Sequence, residues 1–184
     1  MREPYFWSVT DKHSRAASPM LKLLTSPLAM IYRWVGARRI QRTIPADVGI
    51  PVVCIGNLTL GGAGKTPITE AVRSYFLTRG IRAASLSRGY RGSLQGAHRV
   101  DPSRHAASDV GDEPLMLSSL GESWVSKDRP EGAVAMKAAG VELIVMDDGH
   151  QNPTLKKTLS IVVMDASNPV GNGHVFPKGP LRES

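Results

Sequence analysis

The segment that most constrains the fold is the glycine-rich run at residues 59–66, Thr-Leu-Gly-Gly-Ala-Gly-Lys-Thr. It follows an apolar run at residues 52–55 and precedes a helical stretch opened by Pro67. The run matches the pattern G-x-x-x-x-G-K-[ST] except at its first position, where Thr59 replaces glycine. A strand, a glycine loop and a helix in this order predict a phosphate-binding loop, in which backbone N–H groups at a helix N-terminus surround an anion.

The residue types of this run predict separate roles. Lys65 is expected to reach the outer phosphates of a nucleotide, and Thr66 is expected to place its hydroxyl on Mg²⁺. The glycines still supply the tight turn, even with threonine at the first position. The predicted nucleotide-binding residues are Thr59, Leu60, Gly61, Gly62, Ala63, Gly64, Lys65 and Thr66.

From residue 51 onward, apolar β-branched runs alternate with helical stretches. The runs lie at residues 52–55, 81–86, 143–146 and 159–164, and the helical stretches lie at residues 67–79 and 131–139. Strands that are apolar without interruption are typical of a parallel sheet with helices on both faces. The pattern predicts an α/β protein of the P-loop type, a three-layer α/β/α sandwich with a mostly parallel sheet. Residues 92–111 are polar and turn-rich, which predicts a long loop.

Two consecutive carboxylates follow the apolar run at residues 143–146. Asp147 and Asp148 are therefore expected at the carboxyl end of a buried strand, where α/β proteins bind ligands. A phosphate-binding loop needs an acidic partner for its metal ion, and oxygen donors suit Mg²⁺. We predict that this pair serves the metal together with Thr66, and the spacing leaves open which of the two carboxylates contacts the ion.

A third acidic element, Asp112 and Glu113, opens an apparent helix after the long loop. One interpretation is a helix cap, because acidic side chains are favoured at helix N-termini. The other is a catalytic carboxylate that accepts a hydroxyl proton during phosphoryl transfer. One side chain can do both.

Two arginines, Arg88 and Arg91, lie among glycines directly after the run at residues 81–86. Guanidinium groups suit phosphate recognition, which makes both of them site candidates. The alternative is a basic loop that only contacts water.

The positive charge is concentrated at the N-terminus. The chain of 184 residues has 23 Lys and Arg against 16 Asp and Glu, a net charge of +7. Residues 1–45 carry almost all of this excess, through Arg2, Lys12, Arg15, Lys22, Arg33, Arg38, Arg39 and Arg42 against Glu3 and Asp11. Residues 20–35 have helical composition, and Pro27 is expected to divide them into two short helices.

Aromatic side chains accompany the basic ones in this segment, namely Tyr5, Phe6, Trp7, Tyr32 and Trp34. Such mixtures are typical of the headgroup zone of an anionic membrane. We predict a basic amphipathic helical segment at residues 1–45 that associates with a membrane, followed by the P-loop core at residues 46–184. The alternative is a helical arm packed on the domain, and both can hold.

Composition excludes several classes of protein. Cys54 is the only cysteine, so a disulfide framework and a cysteine-based zinc site are excluded. No apolar stretch approaches the roughly 20 residues that span a bilayer. Aromatic residues make up 5% of the chain, which argues against a protein that stacks on single-stranded nucleic acid.

Five ordered motifs together resemble the tetraacyldisaccharide 4′-kinases, the lipid A 4′-kinases. They are residues 56–67 (Gly-Asn-Leu-Thr-Leu-Gly-Gly-Ala-Gly-Lys-Thr-Pro), 87–90 (Ser-Arg-Gly-Tyr), 111–114 (Gly-Asp-Glu-Pro), 147–151 (Asp-Asp-Gly-His-Gln) and 179–183 (Gly-Pro-Leu-Arg-Glu). The resemblance covers essentially the whole chain. It implies ATP-dependent phosphorylation of the 4′-hydroxyl of a tetraacyldisaccharide 1-phosphate, giving lipid IVA at the cytoplasmic face of the bacterial inner membrane.

The resemblance also assigns roles to residues. It implies ATP and Mg²⁺ as cofactors, Asp112 as the catalytic carboxylate, and Asp147 with Asp148 as the metal pair. Gln151 matches the end of the latter motif, whereas His150 stands where the family usually has phenylalanine. Members of the family continue past the last motif into a second lobe, so we expect this chain to be a truncated form with little or no activity of its own.

Two other functions compete with this interpretation. One is a different P-loop NTPase, although no Asn-Lys-x-Asp element for guanine recognition is present. The other is a nucleic-acid-binding ATPase, because clustered lysine and arginine also suit a nucleic-acid arm. The resemblance favours a lipid disaccharide substrate, peripheral contact with an anionic membrane and no nucleic-acid partner.

Overall fold

The structure is a computed structural model that describes Pro4, Trp7, residues 19–61 and residues 63–183. Gly62 of the predicted phosphate loop lies outside the described residues. So do Arg2, Lys12, Arg15, Tyr5 and Phe6 of the predicted membrane segment, and so does the side chain of Lys22.

Helices and strands alternate along most of the described chain. The helices are α1 (Pro19–Arg42), α2 (Lys65–Leu77), α3 (Ala107–Val110), α4 (Asp112–Leu120) and α5 (Arg129–Ala138). The strands are β1 (Val52–Gly56), β2 (Ala83–Ser87), β3 (His98–Arg99), β4 (Ser123–Val125), β5 (Leu143–Asp147) and β6 (Leu159–Val162).

The strands form one sheet in the order β3-β4-β2-β5-β1-β6. Strands β4 and β2, β2 and β5, and β5 and β1 pair in parallel, and the short β3 pairs with β4 in the antiparallel direction. The predicted α/β fold with a mostly parallel sheet is therefore confirmed. The two strands followed by the predicted phosphate loop and carboxylates, β1 and β5, lie side by side in the interior of the sheet.

Helices cover both faces of the sheet. Every residue of β1, β2 and β5 is buried as a result. On one face, α5 contributes Ala133 and Met136 to a core that contains Cys54, Leu86 and Met146. On the other face, α2 contacts the strands through side chains such as that of Arg73, which hydrogen-bonds Ser85. Successive residues of a strand point to opposite faces, so one apolar run fills both cores.

Two expectations about individual elements are wrong, and one strand is not predicted at all. The stretch at residues 92–111 is not a plain loop, because it contains β3 and α3. Strand β4 was not expected, since its three residues form too short an apolar run to be seen. Strand β6 lies at the edge of the sheet with mostly exposed side chains, so it is not covered on both faces.

Helix α1 is one continuous helix with Pro27 inside it, so the expected division into two pieces is wrong. Proline removes one main-chain hydrogen bond, and a helix of 24 residues keeps the bonds on both sides of it. Nor does the helix separate apolar from basic residues along its whole length. Arg38 and Arg42 lie at helical spacing from Leu24, Ile31 and Val35. One face of the helix is therefore apolar in its first part and basic toward its end.

The chain divides into two compact units. Unit 1 consists of residues 1–43, 57–64 and 162–184, and unit 2 consists of residues 44–56 and 65–161. Within unit 1, Tyr32 of α1 lies edge-on to Phe176, with ring centroids 5.7 Å apart. The predicted division at residue 45 stays a prediction. Among the described residues, no helix is long and apolar enough to cross a membrane.

Candidate nucleotide and metal site

The predicted carboxylate pair lies at the end of β5, in unit 2. In the register of the sheet, Asp147 is opposite Ile55, near the end of β1. Asp147 is almost fully buried, at 2% exposed, whereas Asp148, the next residue, is half-buried. The two neighbours therefore have different environments, which the sequence alone could not distinguish.

Burial raises the pKa of Asp147 to about 6, because a carboxylate loses its hydration there. The charges of Glu113 and Asp148 act in the same direction, while a hydrogen bond from Thr69 and the charge of Lys65 oppose them. Thr69 Oγ1 donates to Asp147 Oδ1 at 3.1 Å. Thr69 lies one helical turn beyond Lys65, so its i, i+4 spacing from the lysine was the signal that could have identified it.

Lys65 is the first residue of α2, and its ammonium lies 3.5 Å from the carboxylate of Asp148. Asp148 has a φ of 48°, in the left-handed region that aspartate tolerates better than most residues. The lysine side chain is 11% exposed and that of the aspartate 36% exposed. The structure thus brings the loop lysine and one of the two predicted metal carboxylates together.

A buried arginine at the start of α5 interacts electrostatically with Asp147. Arg129 is 3% exposed and donates to the main-chain carbonyls of Ser126, at 3.1 Å, and Asp147, at 3.4 Å. Burial lowers its pKa to about 10, the charge of Asp147 partly restores it, and the charge of Arg88 lowers it further. Sequence reasoning missed Arg129, although the sequence Asp-Arg-Pro at residues 128–130 marks a helix start, with Asp128 as the N-cap.

Helix α4 presents Asp112 and Glu113 as exposed residues of its first turn. The capping position itself belongs to Gly111, so the expectation that either carboxylate is the cap is wrong. Gly111 has a φ of 92°, and a Cβ there would come within 2.6 Å of the Tyr90 carbonyl oxygen. The loop that contains Arg88 is therefore packed closely against the start of α4.

The remaining candidates in unit 2 have distinct positions. Arg88 is exposed and lies within electrostatic range of Arg129. Arg91 instead lies over the ring of Tyr90, 5.4 Å from its centroid. Gln151 is half-buried in the turn that follows the carboxylate pair.

Within the part of the chain that the structure describes, no three acidic, histidine or cysteine residues cluster as a metal cage. Thr66, Asp147 and Asp148 are all oxygen donors. Magnesium typically keeps several waters and takes one or two carboxylates together with substrate phosphates, so this donor set fits Mg²⁺ better than a metal that needs a full protein cage.

The glycine segment of the loop belongs to unit 1, and the chain passes into unit 2 between Gly64 and Lys65. Four loop residues, Thr59, Leu60, Gly61 and Ala63, line a small cavity together with Asp165, Asn168 and Pro180. Asn57, which is fully buried, donates to the carbonyl oxygens of Thr59, at 2.7 Å, and Gly61, at 3.2 Å. Sequence reasoning gave no role to Asn57, although it lies inside the first motif.

Comparison with known proteins identifies the family. Residues 21–184 match the family model LpxK, tetraacyldisaccharide-1-P 4′-kinase. The tetraacyldisaccharide 4′-kinase of Hyphomonas neptunium is 57% identical over 184 residues, which is 100% of this chain and 55% of that protein. The protein of the same name from Maricaulis maris is 49% identical, covering 100% of this chain and 53% of that protein.

A solved structure shares the fold. The crystal structure of LpxK from Aquifex aeolicus in complex with ATP is 26% identical, with a TM-score of 0.76 over 90% of this chain and 55% of that one. The chain therefore spans about half the length of the curated relatives that it matches. With a family model matched from residue 21 onward, the chain belongs to the tetraacyldisaccharide-1-P 4′-kinase family.

Proposed function

We propose that this chain provides the nucleotide-binding part of a kinase that transfers a phosphoryl group from ATP to the 4′-hydroxyl of a tetraacyldisaccharide 1-phosphate, forming lipid IVA in lipid A biosynthesis. The observation that carries the proposal is the meeting of Lys65, Asp147 and Asp148 at the carboxyl end of β5. Relatives named for this reaction and an LpxK structure in complex with ATP support the choice of substrate and nucleotide.

Lys65 and the N-terminus of α2 bind the outer phosphates, because a cation and the positive end of a helix both attract an anion. In the structure Lys65 is paired with Asp148. When a polyphosphate arrives, the lysine exchanges this carboxylate for a phosphate oxygen, and Asp148 becomes available as an oxygen donor. Thr66, Asp147 and Asp148 would hold a magnesium ion, which would supply positive charge to offset the charge on the transferred group.

The acceptor hydroxyl needs a group that removes its proton. Asp112 takes this role, since it is exposed in the first turn of α4 and can reach a substrate without leaving its helix. Its neighbour Glu113 acts on the pKa of Asp147, which places the start of α4 within electrostatic range of the buried carboxylate. Arg88 supplies positive charge in the adjoining loop for the anionic substrate.

Helix α1 supports an action at the cytoplasmic face of the inner membrane. It exposes large apolar side chains along most of its length, among them Leu28, Ile31 and Trp34, and its last turn carries Arg39 and Arg42. A lipid substrate with four acyl chains lies in a membrane, and exposed apolar and basic residues together favour peripheral binding to an anionic bilayer.

The direct test is transfer of labelled phosphate from ATP to the disaccharide lipid in mixed micelles, titrated with Mg²⁺. We expect this chain to bind ATP and to transfer phosphate far more slowly than a full-length relative, because about half of each relative has no counterpart here. Replacing Asp147 or Asp148 by asparagine is expected to raise the Mg²⁺ requirement. The matched control is Asp109→Asn, which removes an aspartate from α3.

Absence of ATP binding by the chain, or an unchanged Mg²⁺ requirement in both variants, contradicts the proposal. ATP hydrolysis that is stimulated by another acceptor, without transfer to the lipid, favours a different P-loop NTPase. Binding to DNA that survives moderate salt, without binding to anionic vesicles, favours the nucleic-acid alternative.

A further inference from the structure

The motif at residues 179–183 has no part in the chemistry proposed above, yet it is joined to the phosphate loop within unit 1. The Leu60 N–H donates to the Pro180 carbonyl at 2.7 Å, and the Arg182 N–H donates to the Leu58 carbonyl at 2.7 Å. The two segments also form an antiparallel bridge between these bonds. The end of the described chain therefore acts as a short partner strand for the start of the loop.

Side chains reinforce this pairing at one carbonyl. The Thr59 oxygen accepts from Arg182 Nε at 3.1 Å and from Asn57 Nδ2 at 2.7 Å. Asn57 also donates to Gly61 at 3.2 Å. Two carbonyl oxygens of the loop, those of Thr59 and Gly61, thus accept from amide or guanidinium groups. Arg182 lies 123 positions from Thr59 in the sequence.

The segment that carries Arg182 is itself held by close packing. A side chain at Gly179 would overlap Asn172 and the carbonyl of His174. Asn172 Nδ2 in turn donates to the Lys178 carbonyl at 2.9 Å. Because the turn before it has little freedom, the arginine presents a fixed donor to the loop.

Carbonyl oxygens repel phosphate oxygens, whereas N–H groups attract them. A glycine-rich loop has many conformations, and only those that turn its carbonyls away from the anion bind well. Donors that hold the carbonyls in place reduce the ordering cost of binding. We propose that Arg182 is a positioning residue that holds the phosphate loop ready for the nucleotide through the Thr59 carbonyl, without touching the nucleotide itself. This inference rests on the proposed nucleotide binding.

The test compares Arg182→Ala and Arg182→Lys with the control Arg104→Ala, which removes an exposed arginine of unit 2. Calorimetry measures the affinity of the chain for ATP and for inorganic triphosphate. Both Arg182 variants are expected to lose about tenfold in affinity for both ligands, the effect of one charge-assisted hydrogen bond. Lysine does not restore affinity, because its ammonium cannot reproduce the position of Nε.

Two further measurements separate positioning from contact and from general destabilisation. Amide hydrogen exchange at residues 58–61 of the ligand-free chain is expected to speed up in the Arg182 variants, while exchange in β5 stays unchanged. Millimolar guanidinium is expected to restore triphosphate affinity in Arg182→Ala and to leave Arg104→Ala unaffected.

Unchanged exchange in the ligand-free variants overturns the inference, since it leaves the loop ordered without the arginine. Weakened ATP binding with unaltered triphosphate binding also overturns it, because the arginine then contacts the nucleoside. If the native chain binds neither ligand, the proposed function fails, and the exchange measurement still decides whether Arg182 orders the loop.

Discussion

The end of β5 and helix α1 both depart from the usual distribution, in which charged side chains are exposed and large apolar side chains are buried. At the end of β5 the structure buries charge, with Asp147 2% exposed and Arg129 3% exposed. Along α1 it exposes apolar surface, with Leu28 55% exposed and Ile31 57% exposed. Folded proteins usually do neither, and both arrangements reduce the stability of the isolated chain.

The two arrangements differ in what compensates for the stability that each one loses. Buried charge is fixed in direction before a ligand arrives, so it favours chemistry on a charged group. Exposed apolar surface gains free energy only when another apolar surface covers it. Changes at the end of β5 should therefore alter nucleotide chemistry and pH dependence, whereas changes in α1 should alter partitioning alone.

The largest effect is expected from Lys65→Ala. The substitution removes the loop cation that pairs with Asp148, so transfer by a full-length relative with the equivalent change should fall by roughly a thousandfold. ATP binding by this chain should weaken as well. The control Lys127→Ala removes an exposed lysine and should leave both unchanged. Near-normal turnover with alanine at the loop position would contradict the phosphate-loop assignment.

Asp147→Asn should increase stability at neutral pH. The pKa of Asp147 is about 6 in the folded chain and about 3.9 in an unfolded one, so the native state binds more protons between these values. The free energy of unfolding therefore falls as pH rises through this window, by about 3 kcal/mol in total. Asparagine keeps an acceptor for Thr69 and removes that cost.

Urea unfolding in EDTA at pH 4 and at pH 7.5 measures this effect. The variant and the native chain should differ little at pH 4, and the variant should be more stable by about 3 kcal/mol at pH 7.5. Asp101→Asn is a control in an exposed turn where hydrogen bonds from Ser103 lower the pKa of Asp101 instead. Equal pH slopes in the variant and the native chain would contradict the buried-charge account.

The double substitution Leu28→Gln with Ile31→Gln should lower partitioning to anionic vesicles by about thirtyfold, corresponding to about 1 kcal/mol for each side chain that leaves the bilayer. Flotation with vesicles of phosphatidylglycerol and phosphatidylcholine measures it. ATP affinity should stay unchanged. Val134→Gln on α5 is the control, because it also replaces an exposed apolar residue of a helix. Equal loss in the control would place the membrane contact elsewhere.

The smallest effect is expected from Arg38→Gln. One basic residue near an anionic surface contributes about 1 kcal/mol to binding. The substitution is therefore expected to weaken binding to anionic vesicles by about fivefold and to leave binding to neutral vesicles unchanged. Arg104→Gln is the matched control. A loss that is equal on neutral vesicles would show that the arginine acts through packing, for example its contact with the Trp34 ring.

The sequence predicts the central fold because β1, β2 and β5 are buried at every position and are therefore mostly apolar. It misses β4, where only Trp124 and Val125 are large and apolar within three residues. Lys65, Asp147 and Asp148 could be predicted as a group, since the loop and the strand end have recognisable patterns. The difference in burial between the two aspartates depends on helices that arrive from distant parts of the chain.

The roles of Arg129 and Arg182 could not be predicted for a related reason. Each donates to main-chain carbonyls. Every residue carries such a carbonyl whatever its side chain, so the sequence does not indicate which one accepts the hydrogen bond. The low pKa of Arg129 and the position of Arg182 become visible only when the chain is folded.

The burial of Cys54 in strand β1 has a practical consequence. Its side chain is fully buried and burial raises its pKa to about 11, so at pH 8 only about one thiol in a thousand would be ionised even if reagent could reach it. Alkylation must then wait for strand β1 to open. Since no other cysteine is present, the labelling rate of the native chain reports how often the sheet opens at β1, and mass spectrometry can follow it without any engineered probe.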